Sequence, residues 1–318
     1  MMPVRIWPRL AVWLLLTTGA GFAEETPPAP VPVRYLALLN DTRIGEISGF
    51  AASRRHPGVL WTHNDSGDGP RLYALGLDGA VRAVVELEGV RNIDWEDIAL
   101  QGHEAGDLLL VADTGDNGGL RRELAIHALR EPVTIADATL PLSWTMRFRW
   151  PDGPRDCEAM AVDPESGEIL LISKKRVPPE LFRLPARPDG ERIEVAEPLG
   201  VLAGVEQPSA EDLQRNPVYG RYRAQITAAD IAPDGRTLAV LNYRRLLLYA
   251  RAPGEDWKAA VARPPRVMEY PWLPQAEAVT FAPDGSRVWI GSEKLPVPLI
   301  ELDLSPPDAQ APVDITSD

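Results

Sequence analysis

The sequence predicts an all-β protein, a β-propeller of five four-stranded blades, with six as the alternative count. Three observations carry this. Proline supplies 32 of the 318 residues, about twice the usual ~5%, and proline is poorly tolerated in helix interiors and central strands. Short apolar runs separated by Pro, Gly and Asp turns fill the chain. One pattern recurs five times along it: a polar or acidic pair, a short apolar strand, a turn and a second apolar strand.

The first unit runs Ile47-Ser48-Gly49-Phe50-Ala51, turns through Pro57-Gly58 and returns along Val59-Leu60-Trp61. The second is Trp95-Glu96-Asp97-Ile98-Ala99, then Gly106-Asp107, then Leu108 to Ala112. The third is Cys157-Glu158-Ala159-Met160-Ala161, a turn from Asp163 to Gly167, then Ile169 to Ser173. The fourth is Ala228-Ala229-Asp230-Ile231-Ala232, Pro233-Asp234-Gly235, then Thr237 to Leu241. The fifth is Ala276-Glu277-Ala278-Val279-Thr280, Pro283-Asp284-Gly285, then Arg287 to Gly291.

Third strands follow at Arg71 to Leu77, Leu124 to Leu129, Leu181 to Leu184, Leu246 to Tyr249 and Leu299 to Leu304. Fourth strands are expected at Val81 to Leu87, Thr145 to Trp150, Ile193 to Leu202 and Val267 to Tyr270. Val33 to Leu39 is the candidate outer strand of the fifth unit, closing the ring from the other end of the chain. The longer third and fourth intervals leave room for a sixth blade. One short helix is expected at Ala210 to Gln214, with Ser209 as its N-cap. A two-sheet sandwich is the rival fold; it explains the strands but not the recurring apolar-plus-acid motif.

Residues 1–23 read as a secretory signal. Arg5 and Arg9 precede the apolar run Leu10 to Gly21, and small residues at Gly21 and Ala23 mark a cleavage site. Residues 24–33 form a Pro-rich lead-in, 34–305 the propeller and 306–318 a flexible tail. The protein is thus expected to be exported, periplasmic or secreted, with no membrane span once the signal is cleaved; an uncleaved anchor is the alternative reading. Cys157 is the only cysteine, which excludes an internal disulfide and a Cys-based zinc site.

The formal net charge of −13 excludes a general nucleic-acid binder, because phosphate neutralisation needs Lys and Arg. It is compatible with cation binding and equally with a solvated acidic surface. Glycine elbows around a nucleophilic serine, His-Glu-x-x-His helices, phosphate-binding loops and dinucleotide fingerprints are all absent from the sequence.

In a propeller the first strand of each unit lines the central channel, and the second runs back to the same face. The start of strand one and the end of strand two therefore meet at the channel mouth. Glu96, Glu158 and Glu277 fall in one column of the repeat, and Asp97 and Asp230 in the next. These five are the candidate metal ligands. Carboxylates converging on one axis need a cation, shared protons or basic partners. Oxygen-only ligands suit a hard ion, and calcium takes six to eight of them with flexible geometry. The alternative is that each carboxylate caps backbone amides of the next blade. His63, Asp65, Asp113 and Asp116 are the candidate catalytic residues, as general base or further ligand. Asn64, Lys174, Lys175 and Arg244 are the candidate substrate contacts. Asp163, Asp234 and Asp284 sit in turns at the opposite face, where turn chemistry accounts for them.

The runs His63-Asn64-Asp65-Ser66-Gly67, Asp94-Trp95-Glu96-Asp97-Ile98-Ala99 and Asp113-Thr114-Gly115-Asp116-Asn117, with Asp156-Cys157-Glu158-Ala159 and Ala276-Glu277-Ala278, resemble a group of exported bacterial propellers. That group is similar in turn to the phytase-like and gluconolactonase-like propellers. The resemblance spans about residues 44–304. It implies calcium or another single metal held by acidic residues at the channel mouth, with Glu96, Glu158, Asp230 and Glu277 as ligands. It departs from phytases in its few cations over the site, only Lys174, Lys175 and Arg244.

The functional expectation is metal-assisted hydrolysis of a phosphoester or a lactone-like ester, with a small-molecule ligand at the channel mouth. The alternative is a non-catalytic module that binds a glycan, peptide or envelope partner, with calcium as a structural staple. Oligomeric state is not indicated.

Overall fold

The computed structural model describes residues 33–305. The expected signal segment, the lead-in up to residue 32 and the tail over 306–318 lie outside the described residues. Among the described residues no helix is long and apolar enough to cross a membrane.

Five sheets, each with four antiparallel strands, make a β-propeller. Blade 1 is built from Ala51–Ala52, Val59–Thr62, Arg71–Gly76 and Val81–Leu87. Blade 2 is Trp95–Gln101, Leu108–Asp113, Leu124–Arg130 and Trp144–Arg149. Blade 3 is Cys157–Val162, Ile169–Ser173, Glu180–Leu184 and Glu197–Val201. Blade 4 is Ile226–Ile231, Thr237–Asn242, Arg245–Ala250 and Arg266–Glu269. Blade 5 is Ala276–Phe281, Arg287–Ser292 and Val297–Asp303, and its fourth strand is Val33–Leu39, antiparallel to Val297–Asp303. The ring is thus closed by pairing the two ends of the domain, as the sequence led us to expect.

Three details depart from expectation. The run Ile193 to Leu202 is two strands. Glu194–Val195 adds a fifth, parallel strand to blade 2, and only Glu197–Val201 belongs to blade 3. Ala138–Leu140 likewise adds a parallel strand to blade 1. The long interval before blade 4 holds no sixth blade. It folds as the helix Ala210–Arg215, opened by a capping box between Ser209 and Asp212, and the 3-10 turn Gly220–Tyr222.

The inner strands are buried along nearly their whole length because both faces are covered by neighbouring blades. All six residues of Leu108–Asp113 and all six of Ala276–Phe281 are buried. Val81–Leu87, farther out, alternates between inward Ala83, Val85 and Leu87 and more exposed neighbours. The core is therefore a set of seams between blades. One joins Trp61, Leu72 and Val85 of blade 1 to Ile98, Leu109 and Val111 of blade 2. Another packs Phe50 of blade 1 onto blade 5, so closely that a Cβ at Gly291 would fall on the Phe50 ring. Polar clasps lock the seams: Arg251 Nη1 donates to Asp163 Oδ2 at 2.7 Å, and Trp257 Nε1 donates to the same oxygen at 3.1 Å. Asp234 and Asp284 accept from the amides of Arg236 and Ser286, as turn residues do.

At the axis stands Asp97, which is fully buried. Its Oδ1 accepts from the Ile98 amide at 2.9 Å. Its Oδ2 accepts from Met160 N of blade 3 at 2.8 Å and Ala229 N of blade 4 at 3.2 Å. Gly49 is required beside it, with φ +87° and room for no Cβ, which would lie 2.6 Å from Asp97 Oδ1. Asp230 does the same between blades 4 and 5: its Oδ2 accepts from Phe281 N at 2.8 Å and Thr280 Oγ1 at 2.9 Å. Both were expected among the ion ligands. Their oxygens are instead taken up by amides of the adjoining blades, the other role considered for this column.

Asp97→Asn sets an amide donor against at least one backbone N–H in either flip state, leaving buried donors unmatched. The expected loss is on the order of 2–4 kcal/mol of unfolding free energy, read from denaturant titration. Stability within 0.5 kcal/mol of the parent would refute the axial role.

Candidate functional site

The site is built by a backbone irregularity repeated around the ring. In blade 2, Trp95 pairs with Asp113 but Asp97 pairs with Ala112, so Glu96 is an extra residue, a β-bulge. The same shift lies between Cys157 and Ala159, between Ile226 and Ala228, and between Ala276 and Ala278. In blade 1 the Ile47–Asn64 bridge is offset in the same way from the Ala51–Trp61 pair. The bulge column is therefore Ser48, Glu96, Glu158, Thr227 and Glu277. Sequence alignment set the fourth unit two residues too late, at Ala228. Asp230-Ile231-Ala232 repeats the Asp97-Ile98-Ala99 run of unit two and drew the alignment there, while the strand starts at Ile226. Thr227, not Ala229, is therefore the blade 4 counterpart of Glu96, Asp230 leaves the Asp97 column, and the Thr227 hydroxyl donates to the Ala276 carbonyl at 2.7 Å.

Two groups of carboxylates converge here. Oxygens of Asp65, Asp94 and Glu96 lie within 4.8 Å of one another, and so do those of Glu96, Asp156 and Glu158. Glu96 is common to both, so it links five carboxylates from blades 1 to 3 into two overlapping trios. Asp94 and Asp156 were not among the expected ligands. The signal for them is an Asp-x-Glu spacing, Asp94-Trp95-Glu96 and Asp156-Cys157-Glu158, in two consecutive units.

Glu96 and Glu158 are 3% and 4% exposed, and each keeps one buried oxygen, Glu96 Oε1 and Glu158 Oε2, with no hydrogen-bond partner. The other Glu158 oxygen is ion-paired with Lys174. Lys175 Nζ lies 2.8 Å from Asp156 Oδ2 and donates to Asn117 Oδ1 at 2.7 Å. Burial, and then the neighbouring Asp65 charge, push the Glu96 carboxyl well above the usual range. Burial also raises Asp94, and raises Asp65 to about 6. Gly115 backs the cluster: a Cβ there would fall on Glu96 Oε1 and on the Asp94 carboxylate.

Glu277 belongs to neither group. It accepts from the Tyr243 hydroxyl, and Gln275 Nε2 clamps it to Glu293, 3.4 Å from Glu277 Oε1 and 2.8 Å from Glu293 Oε2. Burial, and then Glu277, raise Glu293 to about 9. The third expected column member thus forms a separate acidic pair on blade 5.

Of the expected catalytic residues only Asp65 keeps a carboxylate in the cluster. His63 is fully buried beneath it, edge-on to Trp95 at 5.7 Å, and burial lowers it to about 4. It is a neutral packing residue with no path to solvent. Asp113 holds Arg121 at 2.6 Å; burial alone would raise its carboxyl, but the His127 and Arg121 partners outweigh burial and keep it low. Asp116 accepts from the amides of Leu120 and Arg121 at 2.7 and 3.0 Å and folds its own loop. Asn64 is equally committed: its amide donates to Arg43 O and Asp68 Oδ2, and its oxygen accepts from Glu46 N. Lys174, Lys175 and Arg244 line a cleft of about 890 Å³ beside the cluster, with Arg244 also 3.3 Å from Asp212.

No protein-family model and no curated protein sequence matches the chain. Among solved structures, a luciferin-regenerating enzyme is similar at 10% identity and a TM-score of 0.42, covering 84% of this chain and 94% of that one. A likeness at this level carries no functional argument.

Asp65 lies above its unfolded value, so the fold favours its protonated form. Its contribution is complete below about pH 4 and is lost as pH rises through about 6. Asp65→Asn removes that loss. The variant should gain on the parent by on the order of 2 kcal/mol between pH 4 and pH 7.5 without added cation, read from paired urea titrations. A pH-independent difference would show that Asp65 is not held in this environment.

Proposed function

We propose that the channel mouth is a calcium-type cation site serving hydrolysis of a phosphoester, an ester or a lactone. The observation that carries this is the pair of buried, unpartnered carboxylate oxygens, Glu96 Oε1 and Glu158 Oε2, within a five-carboxylate cluster. Burying a charged oxygen without a partner is costly, and a native fold retains such groups where a ligand completes them.

The donor set fits a hard divalent ion: it contains only oxygens, from side chains that a flexible seven- or eight-coordinate shell accommodates. Glu96, Asp156 and Glu158 would hold the ion, with Asp94 and Asp65 adjoining. A bound divalent cation supplies polarisation of an ester or phosphoryl oxygen. Asp65, adjoining the ion and partly open to solvent, is placed to act as the general base. Lys174 and Lys175 set the position of an anionic group next to the cluster. Gly115 keeps the space that Glu96 and Asp94 need.

Thermal melting with calcium and with a chelator tests the site. At calcium 100-fold above Kd, occupancy adds about 2.7 kcal/mol, a shift of several degrees for a domain of this size. Glu96→Gln and Glu158→Gln should each abolish most of the shift, and Gly115→Ala should weaken it by displacing both Glu96 and Asp94. Absence of any cation shift in the parent would sink the reading. Chromogenic phosphoesters, esters and lactones then test turnover. A calcium shift with no turnover on any of them would point to the non-catalytic binding module, with the ion as a staple.

A further inference from the structure

The cleft beside the carboxylate cluster concentrates two residue types that are scarce elsewhere. Of the chain's 7 tyrosines, Tyr219, Tyr222, Tyr243 and Tyr270 line it, with Trp272. The chain has four lysines, and Lys174, Lys175 and Lys294 line it too. Trp272 is 79% exposed and Tyr219 67% exposed. Folding gains little from aromatic rings placed so openly, and a cluster of them marks a binding surface. The volume, about 890 Å³, is that of a small-molecule site.

The walls have separate origins. The segment between blades 3 and 4 brings Tyr219, Tyr222 and Arg223. The approach to blade 5 brings Tyr270, Trp272 and Leu273. The floor carries Lys174, Tyr243 and Gln275, and Lys174 Nζ lies 5.9 Å from the Tyr243 ring centroid. Aromatic faces stack against aryl rings and against the C–H faces of sugar rings, and ammonium groups favour anionic oxygens.

We infer, resting on the hydrolase reading above, that this cleft binds an organic anion: a ring that can stack on an aromatic face, sugar or aryl, bearing a phosphate or carboxylate group. The ring lies against Trp272 and Tyr219, and the anionic group faces Lys174 and Lys175. The two lysines also couple the cleft to the cluster. Each is ion-paired with a cluster carboxylate, Lys174 with Glu158 and Lys175 with Asp156. A cation bound to those carboxylates replaces the ammonium groups as counter-charge and frees them for the ligand. Each ligand therefore tightens the other by the same factor.

Titration calorimetry with phenylphosphonate, whose C–P bond resists hydrolysis, tests this in chelator and in calcium. In chelator it should bind at least tenfold tighter than inorganic phosphate or benzyl alcohol. Trp272→Ala and Tyr219→Ala, both at exposed positions and checked by melting, should each weaken it at least fivefold. Lys175→Ala should weaken it and also reduce the severalfold tightening by calcium. Glucose 6-phosphate, titrated in chelator, distinguishes a sugar ring from an aryl one, the tighter binder naming the ring. The inference is overturned if neither ring-bearing anion binds more tightly than inorganic phosphate, or if both aromatic variants bind like the parent. A calcium melting shift without ring-anion binding removes the cleft inference and keeps the cation site. Ring-anion binding indifferent to calcium, without a melting shift, does the reverse.

Discussion

The extra residue at the head of each innermost strand decides where the polar groups of this protein go. A regular strand would send alternate side chains into the seams on either side of its blade, where Trp95 and Ile98 lie in apolar surroundings. The bulge releases Glu96, Glu158, Thr227 and Glu277 from the ladder and turns them toward the channel mouth. Backbone groups freed from a ladder must find other partners. Here they find them on the next blade: Ser48 Oγ donates to Glu96 O at 2.6 Å, and Gly49 N donates to Glu277 O at 2.9 Å. Thr114 Oγ1 reaches Cys157 O at 2.8 Å. The irregularity that gathers the carboxylates therefore also ties the blades together.

Charge at this face is arranged in two layers. The deeper carboxylates, Asp97 and Asp230, are surrounded by N–H and hydroxyl donors from adjoining strands and serve as joints. The shallower ones face each other with few donors. Glu96 and Glu158 each keep an empty-handed oxygen, and the nearest positive charges are the lysines at the edge of the cleft. Lysine is the suitable cation here. Its compact ammonium can move between partners on a flexible stem, whereas arginine is better suited to a fixed fork on a carboxylate. The fixed clasp between Arg251 and Asp163, far down a seam, follows the second pattern.

Much of the architecture was legible because each strand is bracketed by its own turn chemistry. Val81–Leu87 and the closing strand Val33–Leu39 fall where alternation and apolar content put them, and Ser209 caps its helix as its position before Ala210 suggests. The errors have one source. A short run such as Asp-Ile-Ala fixes the register only where it keeps its place in the strand, and Asp230-Ile231-Ala232 lies two residues farther in than Asp97-Ile98-Ala99. That slip put Asp230 beside Asp97 in one column and hid Thr227. Asp94 and Asp156 escaped notice because they precede the strands, in a segment whose direction only the folded ring determines. His63, Asn64, Asp113 and Asp116 have the right chemistry and lie near the right face. Whether such groups serve the fold or a ligand depends on the donors around them, and those come from residues far apart in sequence or from loop geometry.

The long interval before blade 4 shows how the fold adds a cleft wall without altering the ring. A five-bladed ring closed by Val33–Leu39 has no place for another sheet, so additional chain must lie on a face. The helix Ala210–Arg215 is too short to be stable alone and depends on its anchors. Asp212 supplies them, capping Ser209 and pairing with Arg223 at 2.8 Å and Arg244 at 3.3 Å. Those pairs hold the segment over the mouth on the blade 4 side, and the following turn carries Tyr219 and Tyr222 into the cleft. The carboxylate cluster lies on blades 1 to 3 and the aromatic wall on blades 4 and 5, so neither half of the ring carries both. Closure of the ring is what brings the carboxylate cluster and the aromatic cleft to the same opening.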